Sequence, residues 1–165
     1  MPTKRLREFL DGQGVSYVAI SHAVAYTTKE IAALTHISNK ELAKTVIVKI
    51  DSELAMAVLP ASYAVDLSLL RATTGARGVS LAKEAEFKDR FPECDIGAMP
   101  PFGNLYGMPV YVDESLTKDK DIAFNAGSHN ELLQVSYADF ERLVKPTVLK
   151  FAGLPDVESL GAWHL

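Results

Sequence analysis

At 165 residues, with a formal net charge of −4 and 48% hydrophobic residues, the chain has the length of one domain and enough apolar content to build a core without metal or disulfide. The acidic balance excludes a generic binder of long nucleic acid, DNA included, because such affinity comes from neutralising many phosphates; a nucleic-acid end gripped by a few residues stays open. No window is long and apolar enough to cross a bilayer, and Met1-Pro2-Thr3-Lys4-Arg5-Leu6 has charge without an apolar run behind it, so the expectation is a cytoplasmic protein with no membrane partner.

Thr3 is placed to cap a short helix in which Leu6, Phe9 and Leu10 share a face and Gly12 and Gly14 end it. The run from Val15 to Ile20 reads as a strand. Thr27-Thr28-Lys29-Glu30 has capping-box spacing before a helix with Ile31, Leu34 and Ile37 on its apolar face, and Ser38-Asn39-Lys40-Glu41 repeats the box for a further turn. Lys44 to Ile50 is the strongest strand, joined through Asp51-Ser52 to a partner at Leu54 to Leu59 that Pro60 is expected to stop. A helix is predicted from Val65 to Ala72 with Leu69 and Leu70 inward, a short strand from Arg77 to Leu81, and a helix from Ala82 to Phe91 ended by Pro92. Beyond a Gly/Pro loop come strands at Pro109 to Val112, Asp121 to Phe124 and Glu131 to Val135. A closing helix capped by Ser136 carries Leu143 and Val144 on its apolar side and ends before Pro146.

Strands interspersed irregularly with helices, and a hairpin that must be antiparallel, predict an α+β fold with a mixed sheet. No repeat, low-complexity tract or linker divides the chain, so one domain is expected over residues 1–150, with 151–165 a peripheral tail that loses periodicity beyond Val148.

Neither a Walker loop, a dinucleotide fingerprint nor a nucleophile elbow is present, and His22, His36, His129 and His164 have no metal-ligand spacing among themselves or with Cys94. No metal and no cofactor is expected. Cys94, the single cysteine, lies between Glu93 and Asp95, which disfavour a thiolate, and reads as a bystander. Gly97-Ala98-Met99-Pro100-Pro101-Phe102-Gly103 holds its backbone tightly, with few donors beside glycines that another molecule can approach, and is either plain loop punctuation or one wall of a polar pocket. Lys44 stands at the mouth of an apolar strand, either as a solvated strand-end lysine or as a point charge for a phosphate or a developing anion. His129, in a Gly-Ser-His-Asn loop, is placed to donate to a ligand or simply to be exposed. Asp113 serves equally as a turn or cap residue or as a functional acid, and Asp66 and Asp139 read as helix-start acids.

Taken in order, Thr27-Thr28-Lys29-Glu30-Ile31-Ala32, Leu42 to Val48, Val58-Leu59-Pro60-Ala61-Ser62, Gly97 to Gly103, Pro109 to Asp113 and Asn125-Ala126-Gly127-Ser128-His129-Asn130-Glu131 resemble the YbaK/prolyl-tRNA-synthetase-associated editing-domain family, from about Tyr17 to Val144. The resemblance implies a barrel-like, largely antiparallel mixed sheet surrounded by helices. It also implies a freestanding hydrolase acting in trans on the ester of a mischarged tRNA, with tRNA-Pro carrying alanine, cysteine or a similar small residue as the expected substrate. The alternative from another class is a non-catalytic module that binds a tRNA end or nucleotide beside a synthetase. On the family pattern Lys44, Gly97 and His129 are the catalytic candidates. Thr45, Ala98, Met99, Pro100, Pro101, Phe102, Gly103, Gly127 and Ser128 are the substrate-binding ones. The expected partners are the mischarged tRNA 3′ end and a synthetase such as prolyl-tRNA synthetase.

Overall fold

The computed structural model describes residues 4–24, 28–35, 37–38 and 41–154. Its centre is strand β2 (Leu42–Ile50), whose β-branched run has Val46, Ile47 and Val48 all buried, so both faces of the strand lie in the interior. Strand β3 (Glu53–Pro60) pairs with it antiparallel along its length, from Ile50↔Glu53 to Ala43↔Pro60. The connection is a two-residue turn with positive φ at Asp51 (48°) and Ser52 (73°), the twist that suits a tight hairpin. The Asp51 side chain fastens this turn by accepting from the Arg77 and Gly78 N–H groups at 2.9 and 3.0 Å.

Around this hairpin are strands β1 (Val18–Ser21), β4 (Ala64–Val65), β5 (Val79–Leu81), β6 (Val110–Asp113), β7 (Asp121–Asn125), β8 (Glu131–Ser136), β9 (Thr147–Leu149) and β10 (Ala152–Gly153). The main sheet runs β1-β8-β7-β2-β3-β6-β9, with β5 also paired to β2, while β10 and β4 form a separate ladder. The pairs β2·β7, β3·β6 and β6·β9 are parallel and the other ladders antiparallel, which makes the sheet mixed, as expected. Helices α1 (Lys4–Gly12), α2 (Thr28–Thr35), α3 (Leu67–Thr74), α4 (Glu84–Phe87) and α5 (Tyr137–Val144) flank it. One face carries the main core, where Phe102 meets Phe9, Phe124 and Phe140 at ring-centroid distances of 6.3, 5.5 and 5.6 Å. The other carries two separate clusters, one around Val46, Leu59 and Leu70, the second around Ile31, Leu42 and Ala123.

Several expectations are corrected. Pro60 does not stop the hairpin: it lies opposite Ala43, and Ala61 N–H still donates to Leu42 O at 2.7 Å, because only the proline's own donor is missing. Val65 belongs to β4, and α3 begins after Asp66, whose side chain caps Leu69 N–H at 3.0 Å. Leu70 is buried, but Leu69 is only half-buried. The helix expected from Ala82 to Phe91 is one turn, α4, followed by a 3-10 turn at Lys88–Arg90. Helix α5 buries Tyr137 and Phe140, with Leu143 and Val144 partly buried beside them. The capping residues Thr3 and Thr27, with Asn39 and Lys40, lie outside the described residues.

The larger correction concerns the start of the tail. Residues 149–154 are not peripheral: β9 pairs parallel to β6, β10 pairs with β4, and Phe151 is fully buried between them, while 155–165 lie outside the described residues. Asp113, the buried acid at the end of β6, organises this closure. One carboxylate oxygen accepts from Phe151 and Ala152 N–H at 2.9 and 3.0 Å, and the other from Ser115 N–H at 3.2 Å and from the Ser115 hydroxyl. Asp113 is thus a structural acceptor, which answers its open reading. Asp113→Asn leaves one acceptor oxygen and sets an NH2 against N–H donors; it is expected to lose about 2–4 kcal/mol in urea unfolding, with amide-exchange protection lost first at Phe151 and Ala152.

Candidate active site

Side chains alternate along β2, so Ala43, Thr45 and Ile47 face the main core while Leu42, Lys44 and Val46 face the opposite side. Lys44 falls there between the two smaller clusters, with Leu42 in one, Val46 in the other, and Leu59 across the ladder. It is half-buried, and burial alone pulls its ammonium below the ordinary lysine range. Among the described residues no carboxylate pairs with it. A desolvated cation without a protein counter-ion is suited to receive an anion from outside.

The parallel register of β2 with β7 runs Leu42↔Ala123, then Ala43↔Phe124. The ladder ends there; carried one step further, its register would set Asn125 level with Lys44, on the face that Leu42 and Ala123 share. Asn125 Oδ1 is buried and accepts no hydrogen bond among the described residues. The sequence reading quoted Asn125 in its motif but gave it no role; the missing signal was the β2·β7 register, a long-range pairing that no local pattern carries.

From Asn125 the chain enters the β7–β8 loop, which is tied to the Gly/Pro loop through the main chain. Asp95 N–H donates to Gly127 O and Gly127 N–H to Ala98 O, both at 2.8 Å, while Ala98 N–H closes back on Asp95 O at 3.0 Å. His129 Nε2 donates to Ile96 O at 2.9 Å, and a Cβ built on Gly97 would lie 3.6 Å from the His129 ring. Gly97 and Gly127 have φ of 85° and 99°, a region that side chains with a Cβ avoid, so these two positions require glycine. Gly97 is exposed and its N–H donates to no partner among the described residues, which leaves a backbone donor at the surface.

The sequence-predicted residues therefore divide. Gly97, Ala98, Gly127 and His129 are brought together by the two loops, and Lys44 lies on the strand next to the one that feeds them. Ser128 is in the same loop, its hydroxyl donating to Asn130 Oδ1 at 2.7 Å. Thr45 is separated from Lys44, because it faces the other side of β2, opposite Val58 of the main core. Met99, Pro100, Pro101 and Phe102 are buried, and Phe102 plugs the aromatic core, so their side chains anchor the loop and line no open wall. Gly103 is required by space, since a Cβ there would come within 2.6 Å of Val110 Cγ2. Cys94 sits 3.7 Å from the Tyr106 hydroxyl, and burial pushes its thiol up, away from the thiolate. Among the described residues no group of three His, Cys, Asp or Glu is placed to hold a metal, and no helix is long and apolar enough to cross a membrane.

The fold is an α+β domain in which a half-buried lysine, with no carboxylate partner among the described residues, lies on the strand next to the one that leads into a glycine-hinged loop junction. The family model described as the aminoacyl-tRNA editing domain matches residues 22–143, and the chain belongs to that family of hydrolases of the aminoacyl-tRNA ester. It is 28% identical over 153 residues to the "Multifunctional Ser/Thr-tRNA deacylase ProXp-y" of Escherichia coli (strain K12), covering 90% of this chain and 91% of that one. Its fold matches the crystal structure of hypothetical protein APE2540 with a TM-score of 0.81 at 21% identity, over 91% of this chain and 100% of that one. It also matches a candidate trans-editing enzyme for prolyl tRNA synthetase, with a TM-score of 0.79 at 19% identity, over 92% and 97% of the two chains.

Because the Lys44 pKa is lowered in the folded chain, the unfolded chain binds more protons between that value and the ordinary 10.5, and the folded form gains stability as pH rises through this window. Lys44→Met is expected to unfold at higher urea than the wild type at pH 7, with the difference shrinking as pH approaches 10.5. Equal midpoints at both pH values would show that Lys44 pays no desolvation penalty.

Proposed function

We propose that the protein is a trans-acting deacylase that hydrolyses the ester between a wrongly attached small amino acid and the 3′-terminal ribose of a tRNA. What supports this reading is that Lys44 lies on the strand next to β7, whose following loop is tied to Gly97 through His129, all inside the residues that the family model matches. The Lys44 ammonium anchors the terminal phosphate or sugar and offsets negative charge as it develops. The exposed Gly97 N–H donates to the oxyanion of the tetrahedral intermediate. His129, held through Nε2 on Ile96 O, fixes the edge on which Gly97 sits. No carboxylate is placed at this edge as a base by the contacts of the described residues, and the ribose 2′-hydroxyl orients the attacking water.

Such an enzyme answers a selection problem, because apolar pockets separate amino acids that differ by one methylene by only about 1–3 kcal/mol, so a second site that destroys small misattached residues is needed. Serine and threonine are the first substrates to examine, on the strength of the Escherichia coli relative's name. Alanine and cysteine on tRNA-Pro follow from the family resemblance and the prolyl-related structural neighbour, as does a prolyl-tRNA synthetase as partner. The acidic net charge suits contact with only a few phosphates at the tRNA end.

The decisive measurement is the half-life of the ester in tRNAs charged with serine, threonine, alanine or cysteine, incubated with the protein. Rapid loss of at least one of them is expected, with kcat/KM falling about 10²–10³-fold in Lys44→Met. Unchanged or lengthened half-lives with folded protein would replace the enzyme by a module that binds the tRNA end.

A further inference from the structure

We propose that Asn125 is the positioning residue for Lys44, its amide oxygen being the acceptor on which the ammonium is held over the sheet; the proposal rests on the catalytic reading of Lys44 given above. A buried acceptor without a donor is a standing penalty; among the described residues the other buried orphan nearby is His22 Nε2, beyond β1 and two strands away across β8, whereas Lys44 is on the adjoining strand. The N–H groups that follow Asn125 are committed, Ala126 to Glu131 O at 3.1 Å and Gly127 to Ala98 O at 2.8 Å. The Ser128 hydroxyl is spent on Asn130. On the sheet face that Asn125 shares, its neighbours Leu42, Leu59, Ala61, Ala123, Leu132 and Ile31 are apolar. Lys44 is the donor one strand away, adjacent strands lying about 4.8 Å apart.

Neither group has another partner among the described residues that would compete for it. The flexible lysine stem lets the ammonium settle on Asn125 while its other two hydrogens remain directed at a ligand. What Asn125 supplies is orientation: it keeps a mobile point charge at one place and favours the charged form that burial opposes. The elements packed about Lys44 present Leu59 from β3 and Ile31 from α2. The ionisable groups nearest on those and adjoining elements are Glu30, exposed on α2, His22 beyond β1, and Tyr63 and Tyr111 in the neighbouring cluster. None of them is paired with Lys44.

The test follows the Lys44 ε-carbon by NMR as pH is raised in protein with 13C-labelled lysine, the signal being assigned by its absence in Lys44→Met. In Asn125→Leu the titration midpoint is expected to fall relative to wild type, and in Asn125→Asp to rise. Turnover of the aminoacyl-tRNA ester that the protein cleaves is expected to drop about tenfold in kcat in Asn125→Leu with KM little changed, and its alkaline limb to move to lower pH; Asn125→Asp restores most of kcat. Identical Lys44 midpoints in wild type and Asn125→Asp overturn the pairing, whether or not Asn125→Leu folds. Midpoints that move as expected while Lys44→Met retains full activity sustain the pairing and overturn the catalytic reading instead.

Discussion

An ammonium group half withdrawn from water on the central strand, with no carboxylate to answer it among the described residues, is the constraint around which this fold is arranged. Strand β2 buries Val46, Ile47 and Val48 on its two faces and is hydrogen-bonded to three partners, β3, β7 and β5, which makes it hard to displace. That rigidity lets the chain tolerate a charge where packing alone would favour a hydrocarbon. The two clusters on the Lys44 side stop short of merging, and the lysine occupies the seam between them. Stability is given up at that one point, where burial opposes the charged form of Lys44.

The second requirement is a fixed edge beside that charge, and here the main chain does what the prolines suggested. Segments around residues 95–98 and 127–129, far apart in sequence, are cross-tied by two backbone hydrogen bonds and one from an imidazole. Pro100, Pro101 and Phe102 act from behind, sinking the following residues into the core so that the edge cannot lift. The exposed part of the segment is consequently short, Asp95, Ile96 and Gly97, before the chain sinks at Ala98.

Much of this was legible because it is local. The run Lys44 to Ile50, the Asp51-Ser52 turn and the strands near residues 110, 121 and 131 each carry their own β-branched or turn signal, and the motif order pointed to the family. Lys44, Gly97 and His129 stood out by residue type and setting. Simple alternation would have separated Thr45 from Lys44, and the large ring of Phe102 should have been weighed as core. Asn125 was invisible for a better reason: an asparagine at a strand end looks like a turn residue until a parallel neighbour is registered against it. Thr147-Val148-Leu149 is too short for any periodic signal, and its place is set by β6 and by a carboxylate 38 residues before Phe151.

That last link bears on the order in which the molecule can assemble. Asp113 emerges from the ribosome well before the Phe151 and Ala152 N–H groups it will bind, so during synthesis its carboxylate stays hydrated and β6 lacks its outer neighbour. The hairpin of β2 and β3 can form early, being local, but the parallel strand β9 and the burial of Phe151 must wait for the end of this segment. A growing chain therefore carries β6 as an open sheet edge until residues 147–153 arrive.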